Sequence, residues 1–328
     1  LVLGSAPSRN RADGSFSEGV TCRGVLKGGG AIYGRLAISN VGPADGDVEL
    51  RLKVALPNKQ THEVRVRKEG GDWSWDKRSL GADLGEASWS TQVRKASIEA
   101  RNDKVAIKMQ VSTRIRPLRP LGLDAPLPRG DFHRTTILIP HGKVHGTVQV
   151  LESGEEIPFE GWVHMVHNQM NKMPFKLAES FYTALDVSWR GTVAMWAYKA
   201  TPDLGGGIRG WLLVTEKGKV PVWEPKVTVR PMNTVRDKGC GYEVPRLLHV
   251  TAPDTSGLKG VIHGDRLTDR IDDLASLGSV ERFFVERLSK PWSFRHKGRY
   301  LLTLPAEDPE VEQKRFKGKL VYTYQQLN

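Results

Sequence analysis

Residues 162–169 read Trp-Val-His-Met-Val-His-Asn-Gln. Two imidazoles and two carboxamides sit among Trp162, Val163, Met165 and Val166. Groups that can give, take or hold a proton, set in an apolar wall, are what a pocket for a greasy reactant requires. His167, Asn168 and Gln169 are the candidate catalytic set. The histidine can move a proton, and the two amides can hydrogen-bond a ligand carbonyl and polarise it. Trp162, His164, Tyr182, Trp196, Tyr198 and Trp211 are the candidate substrate-binding residues, with core packing as the competing role for each aromatic. His164 and His167 are three apart, so a regular strand sends them to opposite faces. A zinc pair on a strand needs i, i+2 spacing and further ligands, and the sequence offers no clear third, so no metal is expected.

The elements that must position these residues are strands. Val144, Gly146, Val148 and Val150 alternate, Ser153-Gly154 marks a turn, and Ile157 and Phe159 alternate on the return, which runs on into Trp162–Gln169. The same period-2 pattern with turn chemistry recurs in Val48–Leu56/Val64–Val66, in Ile98–Ala100/Val105–Val111, in Val187–Trp189/Val193–Ala197 and in Trp211–Thr215/Val220–Val222. Each predicts an antiparallel hairpin, and hairpins at this spacing predict barrels or sandwiches. Residues 116–130 hold four prolines and read as an extended crossing loop. Trp73, Trp75 and Trp89 fall in a Gly/Asp/Ser-rich stretch that reads as a loop, able to close a barrel mouth, contact a ligand or lipid surface, or cap the core. One stretch breaks the pattern. From Thr268 to Leu288 the apolar residues have helical spacing, with Thr268 and Ser279 as N-caps and Gly278 as a stop, which predicts a short helical insert. A domain junction is expected near residues 171–174, dividing the chain into 1–172 and 173–328.

Composition narrows the classes. Among 328 residues, 39% are hydrophobic and 26% charged, which fits a folded globular chain rather than a disordered one. No run of 18 apolar residues suggests a membrane helix. Residues 1–15 hold no apolar h-region, so no secretory leader is expected there and a cytoplasmic location is the expectation. Cys22 and Cys240 are too few for a disulfide framework. Gly28–Gly30 and Gly205–Gly207 do not lie between a strand and a helix, so nucleotide binding is not expected. The net charge of +12 points to an anionic partner or to an ordinary basic surface. Arg51, Lys53, Arg65 and Arg67 alternate with apolar residues, as on a solvated sheet face, and no nucleic-acid-binding module is visible.

Taken in order, Gly146–Val150, Gly154-Glu155, Ile157-Pro158-Phe159, Gly161 and His167 resemble the carotenoid 1,2-hydratase (hydroxyneurosporene synthase) and AttH-like superfamily. Phe181–Val187, Arg190-Gly191, Met195–Tyr198, Gly210–Val214, Lys217-Gly218, Ile271–Leu274 and Pro291–Arg295 are similar to it as well. The resemblance covers roughly residues 130–300. It implies two tandem lipocalin-like antiparallel β-barrels and a large apolar ligand, with no redox cofactor. Members include carotenoid hydratases, fungal Diels–Alder cyclases of polyketide pathways and a sphingolipid-handling survival factor. Hydratase-like members carry Asp-His-x-Trp-Gly where this chain has Val166-His167-Asn168-Gln169-Met170. The acid beside the histidine is thus missing. Asp186, one strand further on, could supply it, but the strand pattern turns it to water.

The sequence therefore leads to an all-β protein of two lipocalin-like barrels. The expected activity is a cofactor-independent cyclase, isomerase or hydratase acting on a polyene, polyketide or terpenoid. A lipid carrier whose basic surface docks on membranes is the alternative, and nucleic acid is not an expected partner.

Overall fold

A computed structural model describes residues 17–39, 46–76, 79–120, 133–252, 256–272, 274–275, 287, 289–305 and 313–327. Among these, eleven strands build a first antiparallel sheet. They are β1 (Ser17–Leu26), β2 (Ala31–Ser39), β3 (Asp47–Ala55), β4 (Thr61–Lys68), β5 (Ser74–Asp76), β6 (Gly81–Asp83), β7 (Ala87–Gln92), β8 (Lys95–Arg101), β9 (Val105–Ser112), β10 (His133–Val150) and β11 (Glu156–Met170). The spatial order is β4-β3-β2-β1-β11-β10-β9-β8-β7-β6-β5, so the first and last strands in sequence are neighbours in the middle. The sheet curls until β4 meets β8 and β9: Lys68 Nζ lies 2.9 Å from Glu86, just before β7, and Asn102 Nδ2, just after β8, donates to Glu63 O at 3.4 Å. The concave side holds the first core, including Val20, Cys22, Leu36, Leu50, Ile98, Met109, Val163 and Met165.

After a single helical turn, α1 (Pro174–Leu177), the chain forms a closed barrel. Its strands are β12 (Ala178–Ser188), β13 (Gly191–Ala200), β14 (Ile208–Glu216), β15 (Lys219–Arg236), β16 (Glu243–Ala252), β17 (Leu258–Asp272), β18 (Trp292–Thr303) and β19 (Arg315–Gln326), each paired with the next and β19 with β12. The hairpin turns follow their residues. Lys217 (φ 49°) and Gly218 (φ 79°) form a two-residue turn with both φ positive. Gly191 is required by space, since a Cβ there would lie 1.9 Å from Thr215 O.

The two units meet along a seam. Inward residues of β13 and β14 such as Met195 and Leu212 fill the barrel, while the alternate set (Ala194, Trp196, Tyr198, Trp211, Leu213) faces out and packs with Ile137 of β10. His133 stacks on Trp196 with centroids 5.0 Å apart, His164 lies 6.5 Å from Trp211, and His141 Nδ1 meets Thr192 Oγ1 at 3.0 Å. A bulge in β10 aids this fit. The register slips between Ile137 and Gly142, around Pro140, which has no N–H to give a ladder. The Pro140 carbonyl accepts from His164 Nδ1 at 3.0 Å, which fixes the proton of that ring.

Several sequence expectations change. Thr268 caps no helix: residues 268–272 continue β17, paired with β18. Residues 273, 276–286 and 288 of the expected helical insert lie outside the described residues, as do residues 121–130 of the proline-rich stretch. Trp89 is not on a loop. It is 1% exposed on β7, its Nε1 donates to Thr91 Oγ1 at 2.9 Å, and truncating such a side chain costs about 3–5 kcal/mol. Trp75 sits half-buried on β5, and Trp73 Nε1 donates to Gly46 O. Asp186 does not face water. It shares a face with the barrel-filling Val193, accepts from Tyr300 Oη at 3.2 Å, and burial pushes its carboxyl above the usual range.

Burial holds His133 and His164 down at about 4, against an ordinary value of 6.5. Between those values the unfolded chain binds protons that the fold refuses. Stability is therefore complete above the unfolded value and is lost as pH falls towards the folded one. Each ring removes about 1–2 kcal/mol by pH 5. Denaturant midpoints measured at pH 7 and pH 5 should fall for the wild type and fall less for the His133→Gln/His164→Gln variant. Equal falls would show that seam protonation does not control acid stability.

Candidate active site

The β1–β11 ladder sets the site. Its register puts Glu18 opposite Gln169 and Val20 opposite His167. Alternation then gives Glu18, Val20 and Cys22 the same face as Val163, Met165, His167 and Gln169. That face is the concave, core-lined one. Glu18 is 3% exposed, His167 8% and Gln169 9%. Both donors converge on one oxygen: His167 Nε2 lies 2.6 Å from Glu18 Oε1, and Gln169 Nε2 donates to the same atom at 2.8 Å. Oε2, equally buried, has no hydrogen-bond partner among the described residues. The ladder continues through Ile38 and Val48 beside Glu18, and through Leu36 and Leu50 beside Val20. One side of the trio is thus a hydrocarbon wall.

Taking a carboxylate out of water costs several kcal/mol unless donors replace the lost hydration. Here two donors serve one oxygen, and the other has no donor among the described residues. A carboxyl with one committed and one unpartnered oxygen, coupled to an imidazole, can deliver or remove a proton at the unpartnered position. The carboxylate absent beside His167 in sequence is therefore present beside it in space, supplied by the neighbouring strand.

The sequence-derived candidates divide among three places. His167 and Gln169 come together on the concave face. Asn168 points the other way, where its Oδ1 accepts from Thr135 Oγ1 at 2.9 Å. Its outer face carries Trp162, half-buried and in register with Lys143, and His164, buried at the seam. Trp196, Tyr198 and Trp211 are seam residues of the barrel's outer wall: Trp196 lies 5.3 Å from Tyr198, and Trp211 lies 6.2 Å from Trp223. Tyr182 lies inside the closed barrel, 5.4 Å from Tyr324, with its Oη accepting from Ser180 Oγ at 3.1 Å. Glu18 was missed by sequence reasoning. Its signal was present in the alternation Glu18, Val20, Cys22, which places a carboxylate on an apolar strand face.

No family model matches the chain, and no curated protein matches it. Solved structures do. An AttH-like protein from Nitrosomonas europaea shares 13% identity with a TM-score of 0.56, over 99% of this chain and 98% of its own. Kievitone hydratase from Nectria haematococca shares 10% identity with a TM-score of 0.53, over 95% and 89%. CghA, solved with Sch210972, shares 9% identity with a TM-score of 0.58, over 99% and 94%. Coverage of nearly the whole of each chain means that both units match, in the same order. The chain shares the fold of these structures, a curled antiparallel sheet followed by a closed eight-stranded barrel, as in tandem lipocalin-like barrels.

Proposed function

We propose that this protein is a cofactor-independent enzyme that hydrates, isomerises or cyclises a large hydrophobic polyene, polyketide or terpenoid, with Glu18 and His167 as its acid–base pair. The observation that carries the reading is the buried Glu18 carboxyl, held on one oxygen by His167 and Gln169 and without a hydrogen-bond partner on the other among the described residues. Such chemistry moves protons and no electrons. In hydration or isomerisation, Glu18 Oε2 gives a proton to an alkene carbon while the two donors on Oε1 steady the carboxylate; the cation then takes up water or loses a proton from the adjacent carbon, and the proton released returns to the Glu18 carboxylate. In cyclisation, a protonated Oε2 donates to a ligand carbonyl and lowers the barrier, while the apolar wall folds the chain into a reactive shape. One solved neighbour is named a hydratase, which falls within this range, and another was solved with Sch210972.

A carrier without chemistry is the second reading. The observation that favours it is the depth of the trio, since all three residues are less than one-tenth exposed, as in a structural polar knot. Identification of the co-purifying ligand by native mass spectrometry, followed by turnover of that ligand, separates the two. Glu18→Gln and His167→Ala should each lower turnover by about 100-fold or more and leave ligand binding in place. Turnover unchanged in both variants would remove the pair from catalysis, and a ligand returned unaltered by the wild type would establish the carrier.

Stability moves in the opposite sense. Glu18→Leu combined with His167→Phe replaces a buried ionisable pair by hydrocarbon, a change that is commonly neutral or stabilising. The expected result is a melting temperature at or above the wild-type value with activity abolished. A melting temperature lowered by many degrees would mark the pair as structural.

A further inference from the structure

The basic residues of this chain are of two kinds. On β3 and β4 the cations are matched: Arg51 pairs with Glu63 at 2.6 Å, Arg65 with Glu49 at 2.6 Å, and Arg67 with Asp47. At one edge, where hairpin tips of both units meet, they are not matched in number. Hydrogen bonds trace this edge. Thr113 N donates to Arg94 O at 3.0 Å, which joins the β7–β8 tip to the end of β9. Thr113 Oγ1 donates to His141 O at 2.6 Å, and His141 Nδ1 meets Thr192 Oγ1 of the barrel at 3.0 Å. Lys217 N donates to Arg190 O at 3.0 Å, which ties the β14–β15 tip to the β12–β13 tip. Residues 92–95, 112–116, 188–191 and 216–219 thus form one connected edge across the seam. They contain seven cations (Arg94, Lys95, Arg114, Arg116, Arg190, Lys217 and Lys219) and one carboxylate, Glu216. That carboxylate lies 3.6 Å from another cation, Lys314.

The same edge exposes apolar surface. Trp189 is 63% exposed, with the Arg190 guanidinium 5.1 Å from its ring centroid, and Val93 is 53% exposed. Among the described residues no other tryptophan is as open; the rest are buried or half-buried. An amphipathic indole flanked by Arg and Lys at hairpin tips matches the layered chemistry of a bilayer surface. The ring settles at headgroup depth, and the cations meet anionic lipid phosphates and carboxylates.

We propose that this edge docks the protein on an anionic bilayer, with Trp189 as the inserted side chain and Arg190, Lys217 and their neighbours as the electrostatic contacts. The edge crosses the seam between the two units, so docking presents both to the same membrane. The inference holds whether the chain is a catalyst or a carrier.

The test is co-sedimentation of the full chain with vesicles of phosphatidylcholine alone and with about one-third phosphatidylserine, at about 0.15 M salt. The wild type should bind the anionic vesicles and release them as salt rises. Each cation removed should lower partitioning about fivefold, so Arg190→Gln/Lys217→Gln should lose about 25-fold. Trp189→Ser should weaken binding by a further several-fold, and all three side chains are exposed, so the fold is not at stake. Equal binding to both vesicle types would overturn the proposal, as would anionic binding that survives the double substitution. Binding to oligonucleotides in place of vesicles, weakened by the same substitutions, would reassign the edge to nucleic acid.

Discussion

A carboxylate that is 3% exposed persists in a protein only where donors are built around it, and the pairing of β1 with β11 builds them around Glu18. The ladder joins residues 149 and 151 positions apart in sequence and brings the acid, the imidazole and the amide to one oxygen. A slip of one residue in that register would turn the whole set to the outer face. Strand register, more than local sequence, therefore holds the candidate chemistry. The central position of β1 and β11, flanked on both sides by further paired strands, protects it.

The seam has a different character. His133 and His164 are neutral there because burial disfavours their charge, and each lies against a tryptophan of the barrel wall. The β10 bulge at Pro140 lets one strand serve both neighbours. Its early residues face the seam, its Pro140 carbonyl fixes the His164 proton, and its later residues line the first core. The same long strands that carry Glu18, His167 and Gln169 on one face thus carry the inter-unit packing on the other. A substitution in residues 162–169 acts on one or the other according to its parity.

Most of the local hairpins were legible because half-buried strands write their alternation into sequence. Val48–Leu56, Ile98–Val111 and Trp211–Val222 each became a hairpin at the expected turn. The opposite orientation of His164 and His167 followed from the same period. What could not be read is which strands pair at long range, since β1 contacts β11 without any local mark of it. Glu18 was lost for that reason, and Asn168 was grouped with residues whose face it does not share. Trp196, Tyr198 and Trp211 were legible as buried aromatics but not as seam residues, because a barrel wall that packs on another unit is apolar on both faces. Thr268–Asp272 carries helical spacing and a good cap, yet pairing with β18 overrides that local preference.

The central claim is that Glu18 and His167 act as one proton-transfer unit. A double-mutant cycle in kcat/KM on the co-purified ligand tests it most directly, using Glu18→Gln, His167→Gln and the pair together. Residues that work as a unit lose their function once, so the double variant should be about as slow as the slower single variant. Losses that multiply, or a single variant that keeps the wild-type rate, would contradict the account.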